Sequence, residues 1–204
     1  MDRRLHWDEV YERVPPTRVS WYQRPPEVSL ELIGLVGLPP GGAVIDVGGG
    51  TSTLVDELVS RGFTDVSVLD VSTVALDSSR TRLGPAGGRV CWVCADVLAW
   101  TPERTYDLWH DRAVFHFLVD PADRRRYVQV ARQAVRPGGY VIVATFATDG
   151  PARCSGLRVE RYYTEGLCAA FSPGFALVGS RRELHTTPSG AVQPFTWVVL
   201  RSGE

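Results

Sequence analysis

An aspartate stands two positions before a run of three glycines, at the end of an apolar segment. Residues 43–50 read Ala-Val-Ile-Asp-Val-Gly-Gly-Gly, so Asp46 precedes Gly48, Gly49 and Gly50. Glycines at the end of a strand permit positive φ and let the backbone approach a ligand closely. A carboxylate beside such a turn repels a pyrophosphate and attracts a cation. The pattern therefore predicts a nucleotide-type site for a positively charged ligand and disfavours a dinucleotide.

Two further aspartates follow the next two predicted strands. Asp70 comes after residues 66–69, and Asp96 comes after residues 90–94. Ligands of parallel α/β sheets bind outside the carboxyl ends of the strands. We therefore expect Asp46, Asp70 and Asp96 to lie along one edge of a sheet, although acidic residues in such positions also serve as helix caps.

The end of the fourth predicted strand supplies His110, Asp111 and Arg112, which we take as the catalytic and substrate-binding candidates. His110 could position a substrate or act as a base near neutral pH, or only its backbone could touch the ligand. Asp111 could act on the substrate or cap the next helix. Arg112 could bind a substrate carboxylate through two hydrogen bonds, or form a salt bridge with Asp111 or Asp120.

More distant segments add further candidates for substrate binding. The N-terminal residues 1–40 are predicted to form a lid whose aromatic faces suit a sulfonium or another cation, and they contribute Trp7, Tyr11, Trp21, Tyr22 and Gln23. Cys154, beside Arg153, is expected to be either a partly activated thiol or a structural cysteine. His185 would reach the site if the sixth strand runs parallel to the others.

Composition excludes several classes of protein. The 204 residues carry a net charge of -1, which gives no reason to expect a nucleic-acid partner, and there is no apolar run long enough for a membrane span. We expect a cytoplasmic protein without a metal site. Cys91 and Cys94 have redox-pair spacing but fall within a predicted strand, so we expect them to be small buried side chains.

Strands and helices alternate along most of the chain, which predicts an α/β fold with a parallel sheet and helices on both faces. Helices are predicted over residues 51–61, 72–83 and 121–135. The predicted strands are residues 44–47, 66–69, 90–94, 106–110, 140–146, 176–184 and 195–201. We expect one domain over residues 1–204, with the lid at 1–40, a ligand-binding core at 43–146, and a substrate-side loop with closing strands at 147–204.

These motifs together resemble those of the class I S-adenosylmethionine-dependent methyltransferases, over residues 43–146. The resemblance implies a Rossmann-like seven-stranded sheet whose last strand is antiparallel. It implies S-adenosylmethionine as cofactor and S-adenosylhomocysteine as product. By this resemblance, Asp46 would order the turn or bind the ammonium of the cofactor. Asp70 would bind its ribose hydroxyls, and Asp96 would bind its adenine amine. The implied cofactor-binding residues are Asp46, Gly48, Gly49, Gly50, Thr51, Ser52, Asp70, Val71, Asp96, Val97 and His110.

The methyl acceptor stays open between alternatives. An oxygen, nitrogen or sulfur atom of a small molecule is the first, and a protein lysine is the second. The N-terminal sequences Trp-Asp-x-x-Tyr and Ser-Trp-Tyr-Gln are weakly similar to a subgroup that includes protein-lysine methyltransferases. A noncatalytic S-adenosylmethionine-binding module is the alternative from another class of protein.

Overall fold

A computed structural model describes residues 2–203 of the chain. The helices are α1 (Arg3–Arg13), α2 (Glu27–Leu35), α3 (Leu54–Ser60), α4 (Thr73–Leu83), α5 (Pro121–Ala134) and α6 (Thr164–Ala170). The strands are β1 (Val44–Val47), β2 (Val66–Asp70), β3 (Cys91–Cys94), β4 (Tyr106–Arg112), β5 (Val135–Phe146), β6 (Arg153–Cys154), β7 (Leu157–Arg158), β8 (Phe175–Thr186) and β9 (Val192–Ser202).

Seven of these strands form one sheet in the order β3-β2-β1-β4-β5-β9-β8. Strands β1 to β5 pair in parallel, and β9 lies antiparallel between β5 and β8. The predicted Rossmann-like sheet with an antiparallel last strand is therefore confirmed. Because β9 reverses direction between them, β8 runs the same way as β5, and the carboxyl end of β8 reaches the edge that we predicted for His185.

The sheet has an apolar core on each face, as buried parallel strands require. Ile45 and Trp109 point to the face covered by α5 and α6, whereas Val44 and Leu108 point to the face covered by α2 and α3. Helices on both faces are thus confirmed. Residues of β1 pair directly with β4, so that Asp46 stands beside His110 in the middle of the sheet.

Some local predictions differ from the structure. Helix α3 begins at Leu54 because residues 51–53 continue the turn, and the Ser52 hydroxyl accepts from the Leu54 amide at 3.1 Å. Ser72 caps α4 as expected from the sequence, by accepting from the Ala75 amide. The prediction that Cys91 and Cys94 are buried is wrong: β3 is an edge strand, and both side chains are exposed.

Candidate functional site

A cavity of about 790 Å³, open mouth included, lies at the carboxyl ends of β1, β2, β3 and β4. Five of the residues predicted to bind a cofactor line it, namely Gly48, Asp70, Val71, Asp96 and Val97. Three residues predicted to bind substrate also line it, namely Trp21, Arg112 and Cys154. Residues that are far apart in sequence therefore meet in one space, which we call the principal cavity.

A second cavity of about 500 Å³ lies behind the glycine turn. Trp21, Gly48 and Arg112 line the principal cavity as well, so these three residues form the boundary between the two cavities. Its wall also contains further residues predicted from the sequence, namely Tyr22, Gln23, Asp46, Gly49, Thr51, Ser52 and His110. Among the predicted residues, Gly50, Asp111 and His185 line neither cavity.

The glycine turn has a backbone that other residues would not adopt without strain. Gly48 and Gly50 have φ values of 65° and 46°, in the left-handed region that favours glycine. A Cβ atom at Gly50 would collide with the Tyr11 hydroxyl and lie 3.1 Å from Asp70 Oδ2. One at Gly49 would lie 2.7 Å from Asp46 Oδ2. The turn is therefore closely fitted between β1, β2 and α1.

Asp46 belongs to a buried hydrogen-bonded chain of three side chains. Its Oδ1 lies 2.7 Å from His110 Nδ1, and His110 Nε2 lies 2.9 Å from the Ser29 hydroxyl. An imidazole that donates from Nδ1 to the carboxylate accepts at Nε2 from the hydroxyl. Both nitrogens of His110 are thus engaged, while Asp46 Oδ2 is buried with no hydrogen-bond partner among residues 2–203. The arrangement orients a carboxylate that keeps one free acceptor.

Sequence reasoning missed Ser29. It lies one helical turn before Leu32 and Ile33, on the buried face of α2. A small polar residue on an otherwise apolar helix face was the available signal, because a buried hydroxyl requires a partner.

Asp70 lies at the end of β2 with its side chain almost wholly buried. Its Oδ1 accepts from the Ser72 amide at 2.8 Å. Burial raises the pKa of Asp70 to about 7, and the backbone amides of Ser72 and Gly50 offset part of this rise. A ligand that donates hydrogen bonds to this carboxylate would therefore favour its ionised form.

Asp96 is already engaged by an arginine that sequence reasoning missed. Arg3 Nη1 lies 2.9 Å from Asp96 Oδ2, and Arg3 Nη2 lies 2.6 Å from Asp123 Oδ2. Nothing in the sequence pairs Arg3 with acids about a hundred residues away. The two ion pairs hold α1 against the carboxyl end of β3 and against α5, beside the mouth of the principal cavity.

Aromatic rings of the predicted lid cover one side of the principal cavity. The Trp7 ring meets the rings of Trp21 and Phe117 edge-on, with centroids 5.9 Å and 5.1 Å apart. The Tyr11 ring lies 6.1 Å from that of Trp21. Burial, followed by the charge of Asp70, raises the pKa of Tyr11 well above its usual value. These rings form an apolar wall facing Asp70 and Gly48.

We call residues Ser20–Gln23 the strap, because β4 and β8 hold them against the cavities. Arg112 Nη1 donates to the Trp21 carbonyl at 2.9 Å, and His185 Nε2 donates to the Ser20 carbonyl at 2.7 Å. The Gln23 amide donates to Glu183 Oε1 at 2.6 Å. His185 therefore contacts the strap rather than the cavities, and burial lowers its pKa. Glu183, which sequence reasoning missed, lies two residues before His185 and faces the same side of β8.

Asp111 takes the capping position that the sequence left as an alternative. Its carboxylate accepts from the amides of Val114 and Phe115 at 2.8 Å and 3.0 Å, and from the Tyr127 hydroxyl. Burial raises its pKa to about 6. Its hydrogen bonds brace the turn after β4, and the structure does not bring it to either cavity.

Arg112 forms no salt bridge with Asp111 or Asp120, contrary to that alternative prediction. Its nearest acidic group is Glu183, with Nη2 and Oε1 3.9 Å apart. Its side chain is 10% exposed, and burial lowers its pKa. The guanidinium carbon lies 4.6 Å from the centre of the Phe195 ring.

Cys154 lines the principal cavity as a buried thiol in the short strand β6. Burial raises its pKa to about 11, so the thiol is protonated at neutral pH. Of the two alternatives, this environment favours a structural cysteine over a partly activated thiol, because burial outweighs the neighbouring positive charge.

The described part of the chain holds no group of three or more His, Cys, Asp or Glu side chains placed to bind a metal ion. Within the same residues, no helix is long and apolar enough to cross a membrane.

Comparison with known proteins gives matches over the same region. The sequence pattern of the methyltransferase domain family matches residues 44–139. Trans-aconitate 2-methyltransferase of Methylobacterium radiotolerans is 37% identical over 94 residues, which make up 45% of this chain and 34% of that enzyme. EEF1A lysine methyltransferase 2 of Danio rerio is 28% identical over 151 residues, 71% of this chain and 58% of that protein. The chain thus spans between about a third and three fifths of these relatives.

The fold is also that of solved structures. A structure of an S-adenosylmethionine-dependent methyltransferase from Anabaena variabilis superposes with a TM-score of 0.76 at 19% identity, covering 99% of this chain and 96% of that one. The likeness in fold therefore extends through residues 2–40 and the closing strands.

Proposed function

We propose that this chain, whose residues 44–139 match the methyltransferase domain family, is a class I S-adenosylmethionine-dependent methyltransferase. In this proposal it transfers a methyl group from S-adenosylmethionine to an oxygen, nitrogen or sulfur atom of a small molecule. One observation carries the proposal. Gly48 of the glycine turn, Asp70 and Asp96 lie around a single cavity at the carboxyl ends of the parallel strands. The free oxygen of Asp46 lies behind that turn.

The residues present fit the cofactor in chemistry. In this proposal Asp70 accepts from the ribose hydroxyls and Asp96 from the adenine amine, with Val71 and Val97 packing on the base. The Gly48–Gly50 turn receives the methionyl part, and Asp46 Oδ2 accepts from its ammonium. The unpartnered buried oxygen of Asp46 and the turn that side chains would obstruct support this assignment.

S-adenosylmethionine supplies an electrophilic methyl group on a sulfonium that is already a good leaving group. This chain therefore has to align the methyl group with the acceptor and to exclude water. Alignment of two reactants lowers the activation free energy by at most about 7–11 kcal/mol. Trp7, Tyr11 and Trp21 would exclude water and stabilise positive charge through their ring faces.

No free side-chain base is needed for an acceptor that arrives deprotonated or as a neutral amine. His110 has both ring nitrogens hydrogen-bonded, and Asp111 is bound by two backbone amides and a phenol. We therefore assign His110 the role of orienting Asp46, which makes it a positioning residue.

The rings over the cavity favour a small acceptor. Trp7 and Tyr11 of α1 and Trp21 of the strap lie across the principal cavity. A folded protein substrate would have to displace these rings to reach the methyl group. Trans-aconitate 2-methyltransferase, by its name, acts on a small carboxylic acid. A protein lysine is the second candidate, favoured by the longer alignment with EEF1A lysine methyltransferase 2.

Transfer of a radiolabelled methyl group into size-fractionated cell extract tests the proposal. With the wild-type protein we expect the label to appear in the small-molecule fraction. With Asp70→Asn we expect no label in that fraction. Asp149→Asn, a change at an exposed position that lines neither cavity, is the matched control and should retain transfer. Label confined to protein would establish the second candidate instead. S-adenosylhomocysteine binding without transfer to any fraction would indicate a noncatalytic module.

A further inference from the structure

Arg112 presents an unfilled hydrogen-bonding edge where the two cavities meet. Its Nη1 donates to the Trp21 carbonyl. Its Nε and Nη2 are buried and have no hydrogen-bond partner among residues 2–203. Arg112 lines both cavities. Buried donors of a guanidinium are normally paired, because leaving them unpaired forfeits their hydration without replacement.

The two unpaired atoms are the ones that a carboxylate would use. The N–H groups of Nε and Nη2 point the same way along one edge of the planar guanidinium, and two parallel N–H groups match the two oxygens of a carboxylate. The Trp21 carbonyl holds the opposite side of the group, and the Phe195 ring lies 4.6 Å from its central carbon. The edge is therefore preorganised.

Glu183 does not fill this edge. Its Oε1 lies 3.9 Å from Arg112 Nη2, beyond hydrogen-bonding distance. Oε1 already accepts from the Gln23 amide at 2.6 Å, and Oε2 accepts from Trp197 Nε1 at 2.8 Å. Turning Glu183 toward Arg112 would break these two bonds, one of which holds the strap.

We propose that the Nε–Nη2 edge of Arg112 binds a carboxylate of one of the two substrates. This inference rests on the proposed function and names the chemistry by which the site selects a ligand. Two sources supply such a group: the methionyl end of the cofactor, and an acceptor that is itself a carboxylic acid. Because Nη1 holds the strap, a carboxylate at this edge also fixes Trp21 over the principal cavity.

Titration calorimetry with matched ligands tests the inference. S-adenosylhomocysteine carries the methionyl carboxylate, whereas 5′-methylthioadenosine shares its adenosine and thioether without it. Phenylacetate, added to the S-adenosylhomocysteine complex, is the probe for an acceptor acid, since aromatic rings line the principal cavity. The variants are Arg112→Met, which removes the charge, and Arg112→Lys, which keeps the charge and loses the paired donors.

A cofactor carboxylate predicts that Arg112→Met weakens S-adenosylhomocysteine binding by about tenfold or more and 5′-methylthioadenosine binding by less than about threefold. An acceptor carboxylate predicts that S-adenosylhomocysteine binding changes by less than about threefold while phenylacetate binding falls by about tenfold or more. Retained 5′-methylthioadenosine binding also shows that the variant is folded. If Arg112→Met does not fold, Arg112→Lys takes its place in the test. We then expect affinity to fall by at least about threefold for S-adenosylhomocysteine if the cofactor supplies the carboxylate, or for phenylacetate if the acceptor does, with the other ligands unaffected.

His185→Phe is the control for the strap, because it removes the Ser20 contact and keeps the arginine. The inference is overturned if the Arg112 variants bind all three ligands within about threefold of the wild type. It is equally overturned if His185→Phe reproduces their losses, since the strap alone would then account for them. Failure of the wild type to bind either nucleoside would overturn the proposed function itself, and this inference with it.

Discussion

Among single residues, Asp70 has a charge that changes in the neutral pH range. Burial raises its pKa to about 7 from 3.8, and the proposed ribose contact requires the ionised carboxylate. We predict that S-adenosylhomocysteine affinity falls by about tenfold for each pH unit well below pH 7, because a proton then competes with the ligand. Calorimetric titrations between about pH 5.5 and about pH 8 measure this dependence. Asp70→Asn should bind more weakly with a flat profile, and a rise in wild-type affinity toward acid pH would contradict the assignment.

Asp46 allows a separate test of the methionyl end of the site. Asp46→Asn keeps the shape of the side chain but removes the charge that faces the ammonium, so we expect S-adenosylhomocysteine affinity to fall by about tenfold or more. Ser29→Ala is the comparison, since it removes only the outer hydrogen bond to His110. It should lower the free energy of unfolding by about 1 kcal/mol and weaken binding far less. Equal effects of both variants on affinity would instead assign a purely structural role to the hydrogen-bonded series of Asp46, His110 and Ser29.

At the scale of elements, α1 is fastened to the ligand-binding edge by polar contacts. Arg3 joins Asp96 and Asp123, and Asp8 Oδ1 accepts from the Ser72 hydroxyl at 2.6 Å. Because Arg3 occupies an oxygen of the carboxylate proposed to bind adenine, the ligand must share or displace it.

We predict that Arg3→Gln speeds both association and dissociation of S-adenosylhomocysteine several-fold and lowers the free energy of unfolding by less than about 1 kcal/mol, as expected for exposed ion pairs. Stopped-flow fluorescence, with Trp7 and Trp21 as reporters near the ligand, measures these rates. Arg13→Gln is the control, since within residues 2–203 Arg13 forms an ion pair only with Glu9, at the exposed end of α1. Unaltered rates in Arg3→Gln would mean that α1 does not restrict access.

The same elements show what a sequence can predict. Asp46, Asp70 and Asp96 could be assigned to one edge because strand alternation and the rule for parallel sheets depend only on local pattern. The sequence could not predict the partners of Arg3 or the contact of His185 with the strap, because these contacts join segments that only the folded chain brings together. The choice between catalysis and capping for Asp111 likewise depended on where its side chain points, which local sequence does not specify.

At the scale of the whole molecule, the proposed ligand would connect parts that are otherwise held by separate contacts. Its site draws on β1, β2, β3, β4, α1 and the strap, so binding should stabilise the folded chain as a unit. At a concentration of about 100 times Kd, a ligand specific for the folded state adds about 2.7 kcal/mol. For a chain of this size we expect Tm to rise by about 5–10 °C with S-adenosylhomocysteine.

This stabilisation should depend on pH in a direction opposite to that of the free protein. The folded pKa of Asp70 lies above its unfolded value, so the free protein binds the extra proton between about pH 4 and about pH 7 and loses the associated stability as pH rises through that window. The ligand binds the ionised form, so its contribution grows over the same range. Calorimetric scans at fixed ligand concentration should give a larger Tm increase at about pH 8 than at about pH 6. The increase in Asp70→Asn should be smaller and equal at both, whereas a larger increase at the lower pH in the wild type would rule out Asp70 as the ligand's acceptor.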